Sequence, residues 1–196
     1  MRTSVIAGLA AFSMIAGGAS AQLAKLNTLI NVDNFFSAFI STDPNVLGTS
    51  FSSGNNWQQT DAGEFTFTEP GTYYLHVHAV DQGGPRMFIG TMSLTNLLGT
   101  AQFSNGNQSL LTGVNDWLVT TTFGSNAVAP ISFAKNGQSG TWGTQVQQSP
   151  DAEYIWHPLG TQVPDVYFTT TITVVPAPGM LALTGLAPLG LRRSRR

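Results

Sequence analysis

The sequence has no cysteine and, away from its two ends, almost no positive charge. Without cysteine there is no disulfide framework, no thiolate nucleophile and no thiolate zinc site. Export permits disulfides without requiring them, and a chain of 196 residues can rely on its core. Five of the eight basic residues, Arg2, Arg192, Arg193, Arg195 and Arg196, lie at the termini, which leaves Lys25, Arg86 and Lys135 inside. All ten acids fall between residues 33 and 165, so residues 22–175 hold three cations against ten carboxylates, a net of −7. Phosphate neutralisation needs clustered Lys and Arg, so this body excludes nucleic acid as a partner. Also missing are a Gly-x-Ser-x-Gly elbow, a P-loop and a His-Glu-x-x-His zinc motif. A glycosidase would need two carboxylates about 5–10 Å apart across a cleft, whereas the neighbours of most acids here mark them as turn residues. The sequence therefore predicts no enzyme. With few charges and many Asn, Gln, Ser and Thr, its surface is solvated by amides and hydroxyls.

Residues 1–21 carry Arg2, an apolar stretch over residues 5–15 and a small-residue end, Gly17-Gly18-Ala19-Ser20-Ala21. That is the pattern of a secretory signal peptide, with Ala19 and Ala21 at the −3 and −1 positions for signal peptidase. At the other end, Val174-Val175-Pro176-Ala177-Pro178-Gly179 leads into the apolar residues 180–191 and then Arg192-Arg193-Ser194-Arg195-Arg196. The apolar run is short for a membrane span and contains Gly185, Pro188 and Gly190. Its basic flank stays on the cytoplasmic side, as a stop-transfer flank does.

A proline motif, a short apolar helix and a terminal arginine cluster together resemble the PEP-CTERM sorting signal of Gram-negative bacteria. The resemblance covers about the last two dozen residues and departs from the family at one place, with Pro176-Ala177-Pro178 where Pro-Glu-Pro is usual. It implies sorting to the cell envelope or extracellular matrix, transient residence in the inner membrane, and cutting near the proline motif by an exosortase-like enzyme. The expected division is a signal peptide over 1–21, a domain over 22–173 and a sorting and anchor segment over 174–196.

The middle of the chain alternates apolar and polar residues. Phe65-Thr66-Phe67-Thr68, the run from Tyr73 to Val80, Leu118 to Phe123 and Val166 to Val174 are rich in β-branched and aromatic residues at period two, which predicts strands. Asp43-Pro44, Ser53-Gly54-Asn55, Glu69-Pro70-Gly71, Asp81-Gln82-Gly83-Gly84-Pro85, Asn105-Gly106 and Asn136-Gly137 mark turns between them. Many short strands, with helical patterns only at the two termini, predict an all-β fold, an antiparallel β-sandwich flanked by an N-terminal signal helix and a short C-terminal apolar helix. In the strand after Gly71, Tyr73, Leu75, Val77 and Ala79 form the core face, and Tyr74, His76, His78 and Val80 the other.

Val32-Asp33-Asn34-Phe35-Phe36, Asn56-Trp57, Pro70-Gly71-Thr72-Tyr73, Ala79-Val80-Asp81 with Gly83-Gly84-Pro85, and Phe88-Ile89-Gly90 resemble, in that order, jelly-roll, galactose-binding-like modules of extracellular proteins. Asp116-Trp117, Gly140-Thr141-Trp142-Gly143 and the run from Asp151 to Trp156 continue the pattern, so that the likeness spans about residues 28–158. It implies a jelly-roll sandwich.

Four tryptophans are the main binding-site material, because a sugar ring stacks on an indole while amides serve its hydroxyls. Trp57, flanked by Asn56 and Gln58, and Trp142 lie in polar or Gly-rich loops and are the glycan-contact candidates, whereas Trp117 and Trp156 lie in strand-like runs that suit a core. Asp33, Asn34 and Asp81, beside Gly83-Gly84, offer oxygen ligands that suit calcium; the plainer alternative is that they cap turns. His76 and His78, about 7 Å apart on one strand face, could give two ligands to zinc or copper, or sit on a polar face without metal. The function expected is a secreted, non-catalytic surface or matrix protein that binds extracellular polysaccharide. The alternatives are a purely structural matrix component or, less favoured, a glycan-active hydrolase.

Overall fold

The structure is a computed structural model that describes residues 21–177. The signal and C-terminal helices, with Ala19, Pro178 and the four terminal arginines, lie outside the described residues. Twelve strands follow in order: β1 (Ala24–Val32), β2 (Phe35–Ser41), β3 (Thr49–Gly54), β4 (Asp61–Phe67), β5 (Gly71–Val80), β6 (Phe88–Asn96), β7 (Gly99–Phe103), β8 (Ser109–Leu111), β9 (Leu118–Thr120), β10 (Ile131–Lys135), β11 (Glu153–Trp156) and β12 (Asp165–Pro176). Among the described residues, the one helical segment is a 3-10 turn over Gly160–Gln162.

The strands form two antiparallel sheets. One has the order β10-β11-β6-β1-β4, with β8 on the free part of the β6 edge. The other has the order β3-β2-β5-β12-β7, with β9 beside β12. From β3 to β10 the chain changes sheet at every step, so each sheet is assembled from segments far apart in sequence. β1 and β12 sit inside their sheets, flanked on both sides.

Alternation builds the core. Ala24, Leu26, Thr28 and Ile30 of β1 are buried while Lys25, Asn27 and Leu29 between them are not. In β5, Tyr73, Leu75, Val77 and Ala79 turn inward, as their spacing predicts. Rings from opposite sheets meet: Phe88 and Phe168 lie 4.8 Å apart, Phe67 and Tyr73 4.7 Å. Trp117 and Trp156 belong to this same core, each with its indole N–H donating to a backbone carbonyl, of Leu111 and Val163 respectively. Each fully buried large side chain contributes about 1.5–3 kcal/mol relative to exposure.

Two boundaries differ from those predicted. β9 stops at Thr120 rather than continuing to Phe123, because the Thr120 hydroxyl turns back to bond the Thr122 carbonyl and Ser125 Oγ. β12 runs through Pro176, two residues past the predicted strand end at Val174. Pro176 pairs with Gly99, and the Ala177 N–H donates to the Leu98 carbonyl at 3.1 Å. The first two residues of the Pro-Ala-Pro motif are therefore part of the fold.

Candidate functional site

The 136–152 connection between β10 and β11 folds back over the outer face of the first sheet and makes a second, smaller core there. Met87, Ile89, Trp142, Ala152 and Tyr154 are buried in it, and Trp57 packs against its edge. Trp142 is 8% exposed, with its ring stacked on Tyr154 at 5.3 Å and tilted against Phe133 at 5.7 Å. Most of its ring is thus taken up by packing, and what stays accessible borders a hollow of about 400 Å³ shared with Arg86, Phe133 and Gly140. Trp57 and Trp142 do share one cluster, but as packing. Gln58 rims a separate hollow of about 340 Å³ lined by glutamines, threonines and Val146, without an aromatic ring. Asn56 Oδ1 accepts the Gln58 N–H at 3.1 Å and so shapes its own turn. The expected combination of indole face and amides is thus split between two places.

The amides near Trp57 have a structural use that the sequence did not reveal. Asn31 is fully buried and all four of its hydrogen bonds are filled. Nδ2 donates to the Trp57 carbonyl and to Gln145 Oε1, both at 3.1 Å; Oδ1 accepts from Thr60 Oγ1 and Gln148 Nε2, both at 2.9 Å. Asn136 Nδ2 donates to the carbonyls of Gln145, Gln148 and Ser149, and its Oδ1 accepts from the Tyr154 hydroxyl. These bonds hold the 136–152 segment on the sheet.

Asp33, Asn34 and Asp81 come together at one end of the molecule, as their candidacy for calcium requires. Asn34 Oδ1 accepts the Gln82 N–H at 2.6 Å and Asp81 Oδ2 accepts the Gly83 N–H at 2.9 Å, the turn-capping alternative. Gly83 and Gly84 take φ of 123° and 102°, states that favour glycine. Burial pushes the Asp33 carboxyl above its usual range, with the Trp142 side chain opposing the rise and the charge of Asp81 adding to it. Asp81 already has its counter-charge: Arg86 Nε lies 2.9 Å from Oδ2, and both side chains are buried. A calcium ion here would have to share the Asp81 carboxylate with the Arg86 guanidinium. Among the described residues, no three His, Cys, Asp or Glu side chains converge on a metal position.

The two histidines each have other neighbours. His78 Nε2 lies 2.7 Å from Asp165 Oδ1, and its ring stacks on Tyr167 at 4.3 Å. His76 points away from the main core, as its alternation predicts, yet it is fully buried. Its Nδ1 is hydrogen-bonded to the Thr169 hydroxyl at 2.8 Å, and Phe123, from the 121–130 loop, stands edge-on to its ring at 5.0 Å. Burial holds its pKa down to about 4, with the Asp43 backbone carbonyl opposing the shift.

Above His76 lies the largest hollow described, a groove of about 520 Å³ on the outer face of the second sheet. The β5–β12 register builds its floor: Thr169 is opposite His76 and Thr171 opposite Tyr74, so alternate residues of both strands face outward together. Tyr74, Phe123, Thr169 and Thr171 line it. Pro44 and Asn45 from the β2–β3 loop form one wall, and Asn115, Asp116 and Leu118 from the approach to β9 form another. Tyr74 lies nearly parallel to His76, its neighbour on the same strand face, 6.1 Å away. Aromatic carbon, hydroxyls, amides and one carboxylate line the groove without a second acid. Beside it a polar hollow of about 350 Å³ is lined by Asp116, Asp151 and Glu153 among amides; Asp151 there is engaged by Lys135 at 2.9 Å. The groove escaped the sequence reading because its parts come from residues 44 to 171 and none forms a motif.

Comparison with protein-family models, curated proteins and solved structures finds no match for this chain.

Proposed function

We propose that this chain is an exported, non-catalytic β-sandwich of jelly-roll type that binds carbohydrate of the cell envelope or extracellular matrix in the groove over β5 and β12. The observation that carries this reading is the groove's lining. Tyr74 and Phe123 offer apolar ring surface, while Thr169, Thr171, Asn45, Asn115 and Asp116 surround them with neutral or anionic hydrogen-bonding groups. That combination suits a sugar, whose ring has an apolar face and a rim of hydroxyls. The groove lining contains no Lys or Arg, which favours neutral over anionic glycans. Asp116 adds one anionic hydrogen-bond acceptor at the edge of the groove.

Residues 1–21 act as the signal peptide. Residues 174–196, the first of them docked on the fold as far as Ala177, act as the PEP-CTERM-like sorting segment, held transiently in the inner membrane and processed by an exosortase-like enzyme. Fractionation of cells expressing the full chain or a chain ending at Ala177 tests this sorting; an unchanged distribution refutes it.

Binding of the mature protein to an oligosaccharide panel tests the groove. Tyr74→Ala and Phe123→Ala are each expected to weaken binding about tenfold, the equivalent of ~1.4 kcal/mol, while Trp57→Ala leaves it unchanged. Saturable binding lost in Trp57→Ala and kept in Tyr74→Ala would refute the assignment.

A further inference from the structure

The β6–β7 turn carries two leucines that the described residues leave about half exposed: Leu97 is 46% and Leu98 50% exposed, and Val175 near the end of β12 is 46% exposed. Both ends of the described chain meet this turn. The Leu97 N–H donates to the Leu23 carbonyl at 3.0 Å, the Leu98 N–H to the Gln22 carbonyl at 3.2 Å, and the Leu98 carbonyl accepts the Ala177 N–H at 3.1 Å. Only Pro178 and Gly179 separate Ala177 from the apolar residues 180–191. At no more than about 3.6 Å per residue, that apolar run begins within about 11 Å of the backbone bonded to Leu98.

We infer that the Leu97-Leu98 turn is a lipid-contacting tip, pressed into the interface of the bilayer that holds the C-terminal segment; the inference rests on that segment being the membrane anchor. Length supports the contact. Twelve residues reach about 18 Å as a helix, against about 30 Å of hydrocarbon. With Arg192 and Arg193 drawn toward the far interface, the short run pulls the domain's exit point down to the near one. What arrives there first is the pair of leucines beside the exit, whose transfer from water is favourable. The neighbouring β4–β5 corner carries the exposed Glu69, so the contact belongs to the β6–β7 corner.

The absence of native cysteine makes a depth measurement clean. The full chain is reconstituted in phosphatidylethanolamine and phosphatidylglycerol vesicles containing quencher-labelled lipids. It carries one fluorophore-labelled cysteine at a time: Leu98→Cys, Leu97→Cys, Leu186→Cys in the anchor, or Gln82→Cys at the opposite end of β5. The expected result is that the probes at 97 and 98 lose most of their emission, as the probe at 186 does, while the probe at 82 keeps its emission. Quenching at 186 with none at 97 and 98 overturns the lipid-contacting tip and leaves the anchor standing. No quenching at 186 overturns the anchor and the inference with it, and equal quenching at 82 shows non-specific adsorption and overturns the tip as well.

Discussion

Acid should destabilise this protein through one imidazole. His76 is fully buried beside Tyr74 and Phe123, and burial holds its pKa near 4 against an ordinary value of 6.5. In the unfolded chain the ring takes up a proton as pH falls through about 6.5, while the folded protein does not bind it until about pH 4. Between those limits the unfolded state holds more protons, so stability falls as pH falls; above and below them this group adds no slope. A gap of about 2.5 pH units at ~1.36 kcal/mol each sets an upper bound of about 3 kcal/mol, a sizeable share of the ~5–15 kcal/mol that holds a domain folded. Burial lowers His157 as well, in the same direction. Asp33, whose carboxyl is raised, acts oppositely at the acid end, since there the folded state binds the proton first. Comparison with His76→Phe isolates the His76 share. Urea unfolding followed by tryptophan fluorescence from roughly pH 7 to pH 4 should show the wild type losing up to about 3 kcal/mol more than the variant. Parallel curves would refute the assignment of a neutral, buried imidazole.

Other substitutions test the packing. Asn31→Ala orphans partners on two segments, among them the buried amides of Gln145 and Gln148; at ~1–3 kcal/mol for each buried orphan, the cost should be about 3–5 kcal/mol and the melting temperature should fall by about 10 °C. Arg86→Met strands the buried Asp81 carboxylate and should cost about 3–5 kcal/mol, with Asp81→Asn added to it recovering part of the loss; strictly additive single and double variants in a denaturant cycle would argue against the pair. Trp142→Ala should destabilise by about 3–5 kcal/mol without changing the affinity for any oligosaccharide that binds the groove, a separation readable by calorimetric titration below the melting temperature.

Local periodicity carried much of the architecture. The inward set Tyr73, Leu75, Val77 and Ala79 follows from alternation alone, a property of neighbours in the chain, and Trp117 and Trp156, expected in a core because they lie in apolar, strand-like runs, are in it. What the sequence hid depends on distant partners. Trp142 and Trp57 look like exposed loop aromatics until the 136–152 segment is laid on the first sheet. The bonds that lay it there join Asn31 to Gln145 and Gln148, more than a hundred residues away. His76 follows the outward alternation and is buried all the same, because Phe123 arrives from a loop forty-seven positions later. The Asp81–Arg86 pair was within reach, since Arg86 is one of three interior cations and stands five residues from an acid across a glycine turn. The groove has no sequence signature, because the register of β5 with β12 brings its floor together and three separate loops wall it.

The central claim is that carbohydrate binds over β5 and β12 and not beside Trp57. Amide chemical-shift mapping of the isotope-labelled mature protein, titrated with whichever neutral oligosaccharide binds best, tests it most directly. Shifts should concentrate at Asn45, Tyr74, Asn115, Phe123, Thr169 and Thr171, with Gln58, Thr144 and Gln147 unmoved. Shifts gathered around Gln58 and Gln147, or saturable binding with the β5 and β12 resonances unchanged, would contradict it.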